Sequence, residues 1–206
     1  MTEEATSAGR PAAVALVLAA DEPDAASGFS GSRYVADVGG SPLLGRVLES
    51  VRSWPVDEIV VVVGPDAEEI LERVDVTDAI VVVDEGWEEG SASPLRAGMD
   101  TVWRESTAPA VVVLPGDVLD VPASVVAALV ERWRSVPRSG VAPRYRYAAG
   151  WPVVVGRELL PDLLGVEGEV DLPALLASHA GLELVHVDRA APRRVRTIDD
   201  LPLRRR

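Results

Sequence analysis

Four short runs, Val14–Leu18, Ile59–Val63, Ile80–Val83 and Val111–Leu114, are apolar at every position and rich in β-branched residues. A strand with one face in water alternates apolar and polar residues, whereas an unbroken apolar run suits a strand covered on both faces. Between these runs the apolar positions take up a helical rhythm. Over Pro42–Ser53, Leu43, Leu44, Val47, Leu48 and Val51 share one face, with Ser41 placed as N-cap and Pro42 at the first helical position. Ala67–Arg73, Pro94–Trp103 and Ala123–Trp133 repeat that pattern. Strand and helix in alternation predict right-handed crossovers and a mainly parallel sheet. The expected class is therefore α/β: a single Rossmann-like domain with helices on both faces of the sheet. After Val141–Tyr147 the rhythm shortens. Runs at Pro152–Val155 and Leu182–Val187 alternate with helices near Arg157–Leu164 and Leu172–Ser178, which predicts a mixed or antiparallel edge on the same sheet. The domain is expected over residues 11–203, between a flexible N-terminus at 1–10 and a basic tail at 204–206.

Composition narrows the chemistry. The chain has 206 residues, 48% of them apolar, but only 5 Trp, 3 Tyr and 1 Phe, so its core must be built from Val, Leu and Ala. Trp54, Trp87, Trp103 and Trp133 are expected in that core or at an interface, and Trp151 beside the site. All 20 basic residues are Arg, which excludes a Walker-type phosphate loop and a Schiff-base lysine. The absence of Cys excludes a disulfide frame, a thiolate nucleophile and a Cys-ligated zinc site, and His179 and His186 are too few for a His-rich metal site. A net charge of −13 argues against nucleic acid and anionic membrane as partners. No apolar run approaches the ~20 residues of a membrane span, and the acidic start lacks the basic residues of a secretory signal, so a cytoplasmic protein is expected. Charge is also uneven: residues 189–206 hold 7 Arg against 2 Asp. That end reads as a frayed basic tail lying on an acidic body, with anion binding as the alternative.

In open α/β sheets ligands bind beyond the carboxyl ends of the strands. Two such ends stand out. After Leu18–Ala19–Ala20 the stretch Asp21–Ser41 shows neither helical nor strand pattern and is rich in Gly and Ser, with Arg33 as its nearby cation. Backbone amides in such a loop could wrap a phosphate. Asp117 follows Val111–Leu114 and a Pro115–Gly116 turn, where a carboxylate could hold Mg²⁺ on a bound phosphate or cap the following helix, with Asp120 supporting either role.

Taken together, these segments resemble the MobA-like nucleotidyltransferases, which include the molybdenum-cofactor guanylyl- and cytidylyltransferases. Ala13–Ala20, the Gly/Ser loop and Val38–Gly39–Gly40–Ser41–Pro42–Leu43–Leu44 are similar to that family's opening. Glu89–Gly90–Ser91–Ala92–Ser93–Pro94–Leu95–Arg96–Ala97–Gly98 resembles its "EGMSSSLRAG" segment, and Val112–Asp117 its metal-binding strand end. Ala142–Pro143–Arg144–Tyr145 with Gly150–Trp151–Pro152 resembles "APRY…GHP". Gly168–Glu169 stands where cytidylyltransferases carry Gly-Asp, and Thr197–Leu201 resembles "DTPEDL". The resemblance implies transfer of a nucleoside monophosphate from an NTP, CTP or GTP, to a small phosphorylated acceptor (a pterin, sugar or lactyl phosphate), with Mg²⁺ as cofactor and pyrophosphate released. It implies Arg33 and Asp117 as catalytic groups. Leu18, Ala19, Ala20, Asp21, Arg33, Ser93 and Gly98 would hold the nucleotide, Asp117 and Glu169 the metal, and Trp151 the acceptor side.

The departures from the family fall on these same groups. A family Gly is Asp21, a family Arg aligns with Gly28, the following Gly with Ser30 and the Lys with Arg33; a family Ser is Pro94, the His of "GHP" is Trp151, and the first Asp of "DTPEDL" is Arg196. Asp21, Glu22 and Asp24 would oppose a triphosphate of about four negative charges. At roughly 6 Å and an effective dielectric near 20, each like charge costs about 3 kcal/mol before screening. An active transferase with an altered loop and a degenerate member serving as a binding, assembly or regulatory module are both expected readings. A glycosyltransferase-like enzyme ranks below them, because Asp117–Val118–Leu119–Asp120 lacks Asp-x-Asp spacing.

Overall fold

The four unbroken apolar runs form the heart of a seven-stranded sheet. In a computed structural model of the chain, residues 13–21, 25–146 and 149–201 are described. The strands are β1 (Val14–Ala19), β2 (Asp37–Val38), β3 (Ser41–Pro42), β4 (Glu58–Val63), β5 (Ile80–Val83), β6 (Ala110–Pro115), β7 (Gly140–Arg144), β8 (Val153–Gly156) and β9 (Leu182–His186). The helices are α1 (Leu43–Val51), α2 (Ala67–Arg73), α3 (Ala92–Glu105), α4 (Ala123–Ser135), α5 (Leu160–Leu163) and α6 (Leu172–His179). The sheet order is β5-β4-β1-β6-β8-β7-β9, with β2 and β3 paired apart from it. All its strands run parallel except β8, which is antiparallel to both β6 and β7. The edge is thus mixed, as the shortened rhythm predicted.

The alternation of side chains along β1 divides the core in two. Ala15, Val17 and Ala19 pack with Leu44 and Val47 of α1, Ile70 of α2 and Val126 of α4. Val14 and Leu16 pack on the other face with Met99 of α3, Leu160 of α5 and Leu172 of α6. Fully burying a Val or Leu side chain is worth about 1.5–3 kcal/mol. This is why runs apolar at every position end up between two helical layers.

Two details differ from expectation. Ser41 does not cap α1; Pro42 takes the N-cap position, with no side-chain cap. Ser41 and Pro42 instead pair with Asp37 and Val38, and the Leu43 N–H donates to the Ala36 carbonyl at 2.9 Å. Within the Asp21–Ser41 stretch, residues 25–41 are more ordered than their sequence suggested, with 3-10 turns at Ala25–Ser27 and Arg33–Val35 and Tyr34 buried as an anchor, while residues 22–24 lie outside the described residues.

The basic end is not frayed over residues 189–201. Val195 is fully buried, its N–H donates to the Asp117 carbonyl at 2.9 Å, and the Leu119 N–H donates to the Arg193 carbonyl at 2.8 Å. Burying one apolar residue and pairing backbone on both sides of it holds the segment as a strap over the end of β6. The flexible N-terminus expected at 1–10 and the tail at 204–206 lie outside the described residues. No helix among the described residues is long and apolar enough to cross a membrane.

Candidate functional site

From β1 the chain builds β4 and β5 to one side; α3 then carries it back across to β6 on the other side of β1. The connections therefore diverge between β1 and β6, leaving a crevice at their carboxyl ends. A cleft of about 780 Å³ opens there, lined by Leu18, Ala20 and Asp21 at the end of β1, Pro115 at the end of β6, and Arg33. A second cavity of about 900 Å³ lies beside it, against Tyr145 and the start of α6. Trp151, Glu169, Val170, Arg194 and Arg196 line both, forming a shared wall.

Four of the residues expected to hold the nucleotide, Leu18, Ala20, Asp21 and Arg33, face the cleft. Ala19 does not: alternation turns it into the core, beside Tyr34 and Leu114. The charge of Asp21 does not stand unopposed before the cleft, contrary to expectation. Arg33 forms an ion pair with it, and the Tyr34 hydroxyl donates to the same oxygen at 2.7 Å. Burial pushes the Tyr34 hydroxyl well above its ordinary pKa, partly offset by Arg33, so it serves as a permanent donor. The pair spends one face of Arg33 but leaves its Nε–H buried with no partner among the described residues.

Ser93 and Gly98 line neither cavity. The Ser93 hydroxyl is buried and donates to Asp84 Oδ1 at 2.8 Å, tying the start of α3 to the end of β5. Gly98 lets α3 lie against the sheet, since a Cβ there would meet Leu16 Cδ1 at 2.4 Å. Both residues position the helix that borders the cleft. Trp87, expected in the core or at an interface, is half-buried and lines the cleft instead. Trp151 lies on the shared wall, its carbonyl accepting from the Tyr145 hydroxyl at 2.9 Å; burial pushes that hydroxyl up to about 12, with Arg189 opposing the shift.

Asp117 is completely buried and pairs with Arg194 through two hydrogen bonds, Nε to Oδ1 at 3.0 Å and an η nitrogen to Oδ2 at 2.9 Å. It caps no helix, because α4 begins only at Ala123 with Pro122 as N-cap. Asp120 is exposed, has a φ of 57°, and approaches Arg46 at 3.8 Å. Glu169 is exposed on the shared wall and accepts from the Ser91 hydroxyl at 2.9 Å. Both oxygens of Asp117 are thus taken by a guanidinium, and no group of three or more His, Asp or Glu among the described residues could hold a metal ion. In this arrangement the donors expected for Mg²⁺ do not fit it.

Arg194 is the functional-site residue that sequence reasoning missed. The available signal was the charge reversal after residue 188; nothing in spacing linked Arg194 to Asp117, 77 residues away. With Arg196, it turns a wall otherwise marked by Glu169 into one with two guanidinium groups.

Comparison with known proteins agrees with this architecture. The homologue of Mycobacterium tuberculosis Rv0371c from Mycobacterium sp. strain JC1 is 28% identical, with a TM-score of 0.77 over 92% of both chains. Rv0371c from M. tuberculosis in complex with manganese is 21% identical, with a TM-score of 0.75 over 91% of this chain and 95% of that one. A nucleotidyl transferase from Methanothermobacter is 19% identical, with a TM-score of 0.73 over 91% of this chain and 93% of the other. At the latter two identities the likeness concerns the fold. No curated protein matches the sequence. The model of the MobA-like NTP transferase domain matches residues 15–184, and the chain belongs to that family.

Proposed function

We propose that the chain transfers a nucleoside monophosphate from CTP or GTP to a small phosphorylated acceptor of molybdenum-cofactor type, releasing pyrophosphate. The observation that carries this reading is the pair of cavities sharing one wall at the carboxyl ends of β1 and β6. A two-substrate transfer needs two adjoining compartments, so that the attacking and departing groups can stand in line on opposite sides of one phosphorus. On this reading the nucleotide occupies the cleft, with its phosphates toward Arg33 and the shared wall and its base within reach of Trp87. The acceptor occupies the second cavity beside Trp151. An acceptor phosphate oxygen attacks the α-phosphorus, the bond to the bridging oxygen breaks, and pyrophosphate leaves with the electron pair. The chain's contribution is orientation and placed positive charge, the usual terms in phosphoryl chemistry.

A second reading, a binding or regulatory module on the same fold, is favoured by the two internal ion pairs at the site, Asp21–Arg33 and Asp117–Arg194. Both spend cations that a triphosphate would use. Pyrophosphate release decides between the readings, measured for all four NTPs against pterin, sugar and lactyl phosphates, with and without Mg²⁺. The transferase reading expects release from CTP or GTP with one acceptor class. No release from any pairing, together with no rise in melting temperature in millimolar NTP, would leave the binding module.

A further inference from the structure

We propose that Arg194 is a resident cation: it holds the Asp117 carboxylate for itself and, with Arg196, forms a metal-independent phosphate subsite on the wall between the two cavities. The proposal deepens the transferase reading and rests on it for the larger molecule to which that phosphate belongs.

A carboxylate as deeply buried as Asp117 must have a positive partner, because an unpaired charge there loses its hydration without return. Arg194 fills that need with a side-on fork to both oxygens. A guanidinium carries five N–H groups, and the fork uses one on Nε and one on an η nitrogen. Three are left. The Arg194 side chain is 31% exposed and lines both cavities, so these unused donors stand at the wall while the negative end of the pair is hidden behind them.

The placement is built into the backbone. Arg194 bridges Val118 as an antiparallel partner, and Val195 is fully buried beside it. Neighbours along an extended chain face opposite ways, so seating Val195 in the core turns Arg194 and Arg196 together toward the cavities. Arg196 lines both cavities and makes no ion pair among the described residues. Unused guanidinium donors converging on one space recognise a phosphate or pyrophosphate group.

The experiment measures binding of inorganic pyrophosphate to the full-length protein by calorimetry in EDTA. Saturable binding to one site is expected without metal. Arg196→Gln should weaken it several-fold. Since Arg194→Gln alone strands a buried carboxylate, the comparison uses the Asp117→Asn/Arg194→Gln double variant, verified by cooperative melting, in which binding should fall at least tenfold. A parallel measurement follows free Mn²⁺ by electron paramagnetic resonance. The unmodified protein should leave the signal of micromolar Mn²⁺ intact, whereas Arg194→Ala, by freeing Asp117, should deplete it. Pyrophosphate binding that requires Mg²⁺ or Mn²⁺, unchanged binding in the double variant, or Mn²⁺ uptake by the unmodified protein that Asp117→Asn abolishes would each overturn the proposal. These readouts do not require turnover. Metal-free pyrophosphate binding with no active NTP–acceptor pair would retain the subsite and discard the transferase, while turnover with no binding in EDTA would do the reverse.

Discussion

The cleft is bordered by two carboxylate–guanidinium pairs that differ in almost every physical respect. Asp21 and Arg33 belong to one loop, 12 residues apart, and the Asp21 side chain remains 41% exposed. Asp117 and Arg194 lie 77 residues apart, and the carboxylate has no contact with water. The first pair is local and partly hydrated, so either partner can fall back on solvent or on Tyr34. The second joins the end of a central strand to the C-terminal strap, and neither solvent nor another neighbour can replace Arg194. Similar chemistry thus adjusts charge at one border of the cleft and fastens the fold at the other.

Breaking each pair separately tests that distinction. The largest effect is expected for Arg194→Ala, which leaves a buried charge unpaired and should lower unfolding stability by about 3 kcal/mol in urea titration. The Asp117→Asn/Arg194→Gln double variant should recover most of that loss, since no buried charge is stranded. Equal losses in the single and double variants would mean that the strap is held by Val195 and its backbone pairing alone. Arg33→Ala should cost only about 1 kcal/mol by the same titration, because Asp21 keeps the Tyr34 hydroxyl and access to water. Tyr34→Phe should cost about 0.5 kcal/mol, since the hydroxyl donates to a half-hydrated carboxylate and accepts only a long hydrogen bond, 3.3 Å, from Arg33. A loss from Arg33→Ala matching that from Arg194→Ala would erase the contrast.

The smallest expected effect is one of pH, within the strap itself. Asp200 accepts from the backbone N–H groups of Thr197 and Arg196 and from the Thr197 hydroxyl, which together hold its carboxyl below the ordinary 3.8. A depressed folded-state pKa contributes stability that is complete above the unfolded value and disappears as pH falls through the folded one. Local opening of residues 196–200, followed by amide exchange, should therefore increase only as pH falls below that ordinary value. Asp200→Asn should remove the dependence.

Legibility in the sequence divided along the same line. Val14–Leu18 and Val111–Leu114 could be read as buried strands because an apolar run without alternation has few other homes, and their carboxyl ends could be read as the place where a ligand binds. The family resemblance placed Leu18, Ala19, Ala20 and Asp21 at the nucleotide; Leu18, Ala20 and Asp21 reach the cleft, and Ala19 turns into the core. Ser93 and Gly98 were assigned to the nucleotide because a motif segment travels as a block. In three dimensions that block is a helix, and only part of it borders the cleft. Trp87 was expected in the core or at an interface because a large ring in a chain poor in aromatics suggests packing; its place beside the cleft depends on how α3 meets β5.

By itself, the sequence determined the α/β class, the central strands, the helical faces and a carboxylate at the end of β6. All of these follow from side-chain period and local turn chemistry, which act over a few residues. Only the tertiary structure decided what that carboxylate does. An arginine in a basic tail is as well solvated as it is well paired, and no periodicity marks the one that will be captured. Docking Val195 in the core brings Arg194 to Asp117, because burying the carboxylate requires a positive partner within hydrogen-bond reach and the strap supplies one.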